Sequence, residues 1–66
     1  MKQLTFHIAK LRHKRKLTAK SLANLSKVAL RTIEDIEAGK VNPRLETMCK
    51  LADALEVPVT DLFSYE

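Results

Sequence analysis

The stretch that decides the fold is Leu17–Pro43, which reads LTAKSLANLSKVALRTIEDIEAGKVNP. Its apolar residues recur at the three- and four-residue spacing of amphipathic helices. Thr18 is a suitable N-cap, because its hydroxyl can accept a hydrogen bond from an amide one turn on. Gly39 is a suitable stop, because glycine adopts the left-handed conformation at little cost. The segment therefore predicts two short helices, from Thr18 to about Ser26 and from about Leu30 to Ala38, joined by a tight turn.

Helical spacing continues on both sides of this segment. An apolar stripe that begins at Leu4 predicts a first helix over about residues 4–15. A second stripe predicts a fourth helix over about 45–55, and a last helical turn is expected over 59–63. One glycine and two prolines argue against a turn-rich all-β fold. We expect an all-α domain of five short helices that occupies residues 1–66.

Composition excludes several classes of protein. Cys49 is the single cysteine, so neither an intrachain disulfide nor a Cys-rich zinc site can form. No apolar run approaches the roughly 18 residues of a membrane span. The sequence has no HExxH motif and no glycine-rich phosphate loop, and His7 and His13 do not share a helix face. We expect no enzyme activity, no metal, no cofactor and no membrane contact, and a location in the cytoplasm.

The charge is distributed unevenly along the chain. Residues 1–44 hold eleven basic and three acidic groups, a net charge of +8, whereas residues 45–66 hold one basic and five acidic groups, a net charge of −4. A pI near 9.5 with clustered basic groups is typical of a protein that binds a polyanion. A solvated basic helix face accounts for the charge equally well, so the charge alone does not decide.

The helix-turn-helix pattern resembles one known family. The residues that carry the resemblance keep the spacing of that family across four helices: Leu17, Thr18, Leu22, Ala23, Val28, Thr32, Ile33, Ile36, Glu37, Gly39, Lys40, Pro43, Leu45, Glu46, Thr47, Leu51, Ala52, Ala54, Leu55, Val57, Asp61, Leu62 and Phe63. This pattern is similar to the Cro/cI (Xre) family of phage repressors. The resemblance implies a five-helix, lambda-repressor-like domain with the helix-turn-helix at helices two and three. It further implies a sequence-specific transcriptional regulator, expected to be a repressor, that binds a palindromic double-stranded DNA operator as a homodimer.

The third helix is the expected reading element. A helical wheel places Ile33 and Ile36 on its buried side and Arg31 and Asp35 on its exposed side. The resemblance puts base-reading residues at Leu30, Arg31 and Asp35. Arginine can bond guanine through two hydrogen bonds, leucine can touch a thymine methyl, and aspartate can accept from a cytosine amino group. Asp35 is alternatively a residue that orients Arg31 or a solvated charge, and Leu30 is alternatively a half-buried packing residue.

Phosphate contacts are expected on either side of the reading helix. Thr18 and Lys20 lie at the start of the second helix, where free amides and the helix dipole favour an anion. Lys40 and Arg44 lie around the loop after Gly39, where the family holds the DNA backbone. The alternative is ordinary solvent exposure.

The resemblance also implies an ion pair between Arg12 and Glu37, which ties the first helix to the reading helix. Independent surface charges are the alternative. The chain departs from the family at Lys16 and Lys27, where glycine is common, and at Ala19, where glutamine is usual. A lysine at positive φ is costly, so these two turns are expected to be adjusted relative to those of the family.

The acidic C-terminal part of the chain remains for pairing with a second copy, and Val57, Val59 and Phe63 are the apolar candidates for that contact.

The alternative to a transcriptional regulator is an antitoxin-like module. Such a module would neutralise an unidentified partner protein, and its DNA binding would be secondary.

Overall fold

Apolar periodicity in the sequence corresponds to four α-helices that surround one core. The computed structural model describes all residues 1–66. In chain order the elements are β1 (Leu4–Phe6), α1 (Ile8–Lys14), α2 (Ala19–Ser26), α3 (Leu30–Glu37), α4 (Leu45–Leu55), a 3₁₀ helix (Val59–Leu62) and β2 (Phe63–Tyr65). The helical class predicted from the sequence is confirmed. The count of five helices holds only if the 3₁₀ helix is included, and a small sheet is added.

The core draws on every helix. Its largest fully buried side chains come from α1, α2, α3, α4 and the 3₁₀ helix: Ile8, Leu22, Ile33, Ile36, Leu51, Leu55 and Leu62. Helix α2 packs against both α3 and α4, so it lies at the centre of the bundle. None of the helices is long and apolar enough to cross a membrane.

The predicted start of the first helix is wrong. Residues 4–6 form β1, which pairs antiparallel with β2 in the register Leu4–Tyr65, Thr5–Ser64 and Phe6–Phe63. Helix α1 begins only at Ile8, and the amide of His7 donates to the carbonyl of Leu62 at 2.8 Å. The pairing ties residues 4–6 to residues 63–65 and packs Phe6 against the core, and these tertiary contacts override the helical spacing of Leu4.

All four α-helices are followed by a left-handed residue, and only one of these is glycine. The positive-φ residues are Lys16 (φ 58°), Lys27 (63°), Gly39 (75°) and Glu56 (58°). After α3, Gly39 donates to the carbonyl of Ile36 and the next amide to that of residue 35, which is a Schellman motif. The expected adjustment of the turns at Lys16 and Lys27 is therefore wrong: both lysines take the left-handed conformation, and the backbone carries its strain.

Glu56 places a negative charge at the C-terminal end of α4, where the helix dipole disfavours it. Arg15, at the end of α1, offsets this unfavourable charge by pairing with Glu56. Its Nη1 lies 2.5 Å from Glu56 Oε2, and its Nη2 donates to the Glu56 carbonyl at 3.3 Å. This contact joins the α1 end to the α4 end at the surface of the molecule.

Glycine at the strained lysines should stabilise the protein. We expect Lys27→Gly to raise the free energy of unfolding by about 0.5–1 kcal/mol, because the relief of left-handed strain exceeds the added flexibility of the unfolded chain. Lys50→Gly is the matched control in the middle of α4, where the same replacement should lower stability by about 0.5–1 kcal/mol. Thermal unfolding by circular dichroism measures both, and equal destabilisation by both variants would contradict the strain at Lys27.

Candidate nucleic-acid interface

The turn between α2 and α3 sets the direction of the third helix. Ser26 is buried, and its Oγ accepts from the amide of Val28 at 3.2 Å. Lys27 takes the left-handed conformation between them, with its amide bonded to the carbonyl of Ala23. A buried Val28 then anchors the start of α3 in the core. The turn thus positions α3 across α2, with Ile33 inward.

The C-terminal end of α3 is held by α1. Arg12 Nε donates to Glu37 Oε2 at 2.9 Å and Nη2 donates to Glu37 Oε1 at 3.0 Å, so the guanidinium and carboxylate meet through two parallel hydrogen bonds. Arg12 Nη1 also donates to the carbonyl of Leu17 at 3.0 Å. Both side chains are mostly buried, at 12% and 16% exposed. The hydrogen bond to Glu37 raises the pKa of Arg12 further, against the lowering effect of burial.

The outward side of α3 carries the three expected base-reading residues. Leu30 is at the helix start and 37% exposed. The Arg31 side chain is 83% exposed and that of Asp35 only 25%, with Arg31 Nε 3.4 Å from Asp35 Oδ1. The structure therefore brings Arg31 and Asp35 together on one face and leaves Leu30 beside them at the helix N-terminus. An arginine side chain directed into solvent has the reach and the donors to contact a base edge.

The start of α2 offers amides to an anion. Thr18 caps the helix by accepting from the Ser21 amide at 3.0 Å and donates to Ser21 Oγ at 2.9 Å. The single O–H donor of Thr18 is thus directed to Ser21. The first backbone hydrogen bond of α2 runs from the Leu22 amide to the Thr18 carbonyl, so the amides of Ala19 and Lys20 remain free at the positive end of the helix dipole. Lys20 itself is exposed.

On the other side of α3, Lys40 and Arg44 are both exposed. The amide of Lys40 donates to the Asp35 carbonyl at 2.9 Å, and this hydrogen bond fixes the start of the loop after α3. Arg44 is the N-cap residue of α4 and extended, and no side chain caps that helix. The first amides of α4 are therefore open beside a guanidinium, an arrangement that suits a phosphate.

The residues expected at a dimer contact are less exposed than the sequence indicates. Val57, Val59 and Phe63 are half-buried and pack against the core. The larger exposed apolar side chains nearby are Leu4, at 45%, and Leu45, at 69%. Both line, with Phe63, a groove of about 260 Å³ that runs between the sheet and the start of α4. Sequence reasoning missed this surface because it placed Leu4 in the core of a longer helix.

Ionisable residues elsewhere form no cluster of three or more His, Cys, Asp or Glu that could hold a metal. Cys49 is free and exposed. His7 Nε2 lies 2.5 Å from Ser64 Oγ, which fastens the start of α1 to β2. This contact joins the two ends of the chain.

This geometry is matched by known proteins. A sequence profile of the helix-turn-helix family HTH_3 covers residues 8–62. The curated HTH-type transcriptional regulator DdrOP3 of Deinococcus deserti is 33% identical over 60 residues, which are 91% of this chain and 46% of that protein. The chain therefore spans a little under half the length of this relative.

Two solved structures share the fold. The restriction-modification controller protein C.AhdI from Aeromonas hydrophila superposes with a TM-score of 0.83 and 32% identity, over 86% of each chain. An HTH_3 family transcriptional regulator from Vibrio cholerae superposes with a TM-score of 0.80 and 29% identity, over 83% of this chain and 31% of that chain. The chain belongs to the HTH_3 family, whose helix-turn-helix is of the Cro/cI type, as the resemblance implied. The matched proteins are themselves named as transcriptional regulators or, for C.AhdI, as a restriction-modification controller protein.

Removal of one partner of the Arg12–Glu37 pair should be costly. Glu37→Ala leaves a buried guanidinium unpaired, and we expect a loss of about 3–5 kcal/mol of folding free energy. The double variant Arg12→Met/Glu37→Leu removes both charges and should recover much of that loss. Urea unfolding gives the free energy of unfolding of the wild type, Glu37→Ala and the double variant. A double variant as unstable as Glu37→Ala would show that lost packing, and not the unpaired charge, causes the destabilisation.

Proposed function

We propose that the protein represses transcription by binding a palindromic DNA operator as a homodimer, with α3 in the major groove. The observation that carries the proposal is the position of Arg31. It projects from a helix whose opposite side is buried through Ile33 and Ile36, and whose end is held by the Arg12–Glu37 pair. A rigid helix with a projecting arginine near its N-terminus is the arrangement that major-groove reading requires. Such a regulator works in the cytoplasm.

Phosphate binding follows from the flanks of α3. The open amides at the start of α2 and the guanidinium and amides at the start of α4 lie before and after the reading helix in the chain. Lys20, Lys40 and Arg44 add three exposed positive charges there. Contacts of this kind fix the orientation of a protein on the duplex but carry no sequence information.

Homodimerisation gives the selectivity that one helix lacks. Two reading helices address half-sites about one helical turn, ~34 Å, apart. We propose that the second copy packs on the groove lined by Leu4, Leu45 and Phe63, with Val57 and Val59 on the same C-terminal side. Because Leu45 directly follows Arg44, pairing here keeps the phosphate-binding loops of both copies close to the two-fold axis.

Binding measurements separate base reading from phosphate contact. Arg31→Ala should cost about 1–3 kcal/mol on the operator and relax the preference at one base position, because it removes a base contact. Lys40→Ala and Arg44→Ala should weaken operator and random DNA alike, and each should reduce the salt slope by about one, because each removes a phosphate contact. Fluorescence anisotropy across a salt series, on an operator selected from a random pool, provides the comparison.

Lys50→Ala serves as the control for charge alone, because Lys50 pairs with Glu46 on α4 and lies outside the proposed interface. It should leave sequence preference and salt slope nearly unchanged. If Arg31→Ala loses the same affinity on operator and on random DNA, Arg31 does not read a base. If the wild-type protein selects no sequence from the random pool, the proposal is refuted.

The proposed dimer contact is tested at Leu45. Leu45→Glu puts a charge into the apolar groove and should shift the protein towards monomer, while the helix tolerates an acidic residue in its first turn. Leu25→Glu is the matched control, since Leu25 on α2 is 60% exposed but lies outside the groove. Light scattering gives the mass of each protein. A wild type that is monomeric at operator-saturating concentration, or equal effects of both variants, would refute this contact.

A further inference from the structure

We infer that Asp35 is a positioning residue for Arg31, and that the operator half-site therefore contains a guanine held by the two terminal nitrogens of Arg31. The inference rests on the proposed function and specifies what its reading face recognises. The sequence left Asp35 open between three roles: a reader of cytosine, a support for Arg31 and a solvated charge. Three structural features favour the second role.

The first feature is the atom that Asp35 approaches. Its Oδ1 lies 3.4 Å from Arg31 Nε, the inner nitrogen of the guanidinium. This distance is long for a hydrogen bond, so in the free protein it is a charge contact. Neither Nη1 nor Nη2 of Arg31 donates a hydrogen bond within the protein, so both terminal nitrogens are available to a ligand. A guanine presents O6 and N7 side by side in the major groove, and two parallel N–H donors match that pair.

The second feature is the difference in exposure. Three-quarters of the Asp35 side chain is covered, whereas the Arg31 side chain is 83% exposed. The carboxylate is thus set back on the helix and the guanidinium projects beyond it. A base that approaches this face meets Arg31 first. A solvated charge would be more exposed than Asp35 is, and a direct cytosine reader would need to project as Arg31 does.

The third feature is the orientation of the pair in the helix. Arg31 lies in the first turn of α3 and Asp35 in the last, so each charge opposes the helix dipole at its own end. An acidic residue four positions before a basic one is the more stabilising order, and this pair has the reverse, weaker order. Helix stability therefore accounts for little of the pair. Preorganisation of Arg31 accounts for it better, because it reduces the conformational freedom lost when the side chain is immobilised on DNA.

A double-mutant cycle distinguishes support from direct reading. Arg31→Ala, Asp35→Ala and the double variant are each measured against duplexes that carry every base at each half-site position. Two residues that act through one contact are non-additive. Asp35→Ala should therefore reduce discrimination, by about 3- to 10-fold, at the same base position as Arg31→Ala, and the double variant should be no worse than Arg31→Ala.

Modified DNA adds a direct probe of the guanine. Replacement of that guanine by 7-deazaguanine removes the N7 acceptor and should weaken binding of the wild type. The same replacement should have little effect on Arg31→Ala and an intermediate effect on Asp35→Ala. Asp35→Asn retains an oxygen acceptor without the charge, so its discrimination should fall between those of the wild type and Asp35→Ala.

Glu34 provides the matched control. It is an exposed carboxylate on the same helix with no ion-pair partner in the structure. Glu34→Ala should raise affinity for all duplexes alike, by charge alone, and leave base preference unchanged.

Two results would overturn the inference while leaving the proposed function intact. In one, Asp35→Ala relaxes a different base position and adds to Arg31→Ala, which means that Asp35 reads its own base. In the other, Asp35→Ala raises affinity uniformly, as Glu34→Ala does. If the wild type selects no sequence at all, the proposed function fails and this inference fails with it.

Discussion

The position of α3 depends on the hydrogen bonds of the Arg12 guanidinium. It binds the Glu37 carboxylate through two hydrogen bonds and the Leu17 carbonyl through a third, so one side chain joins α1, the loop before α2 and the end of α3. Most of it is buried, so these hydrogen bonds replace the water that it loses on folding. A helix of eight residues such as α3 is marginal by itself. Tertiary contacts of this kind hold it in place, as the proposed presentation of Arg31 to a groove requires.

The second, third and fourth helices were predictable from the sequence because local chemistry marks their ends. Thr18 caps α2 as expected, Gly39 ends α3 in a left-handed conformation, and α4 occupies the predicted residues Leu45–Leu55. The positions of Arg12 and Glu37 were also available from the family pattern. What such patterns cannot supply is the number and direction of the hydrogen bonds, since these depend on how the two helices meet in space.

The sheet and the groove could not be predicted in this way. Leu4 keeps helical spacing with α1, and its strand partner, Tyr65, lies at the other end of the chain. Only the folded bundle brings the two ends together, so no short window of sequence contains the signal. The consequence for the proposed dimer is that Leu4 lies at the surface beside Leu45, so the exposed apolar area differs from the one that Val57 and Val59 alone indicate. Similarly, only the structure gives the recessed position of Asp35.

The left-handed lysines suggest why this sequence accepts strain that glycine would relieve. Lys16 follows α1 and precedes the open start of α2, while Lys27 forms the turn into α3. Each adds a positive charge at a helix C-terminus, which the helix dipole favours and which recovers part of the strain. The same charges contribute to the excess of basic residues in the half of the chain that carries the reading helix. Because charge of this kind accelerates encounter with a polyanion, glycine at both positions is expected to give a more stable protein that associates with DNA more slowly at low salt. Stability and attraction to DNA thus favour different residues at these turns.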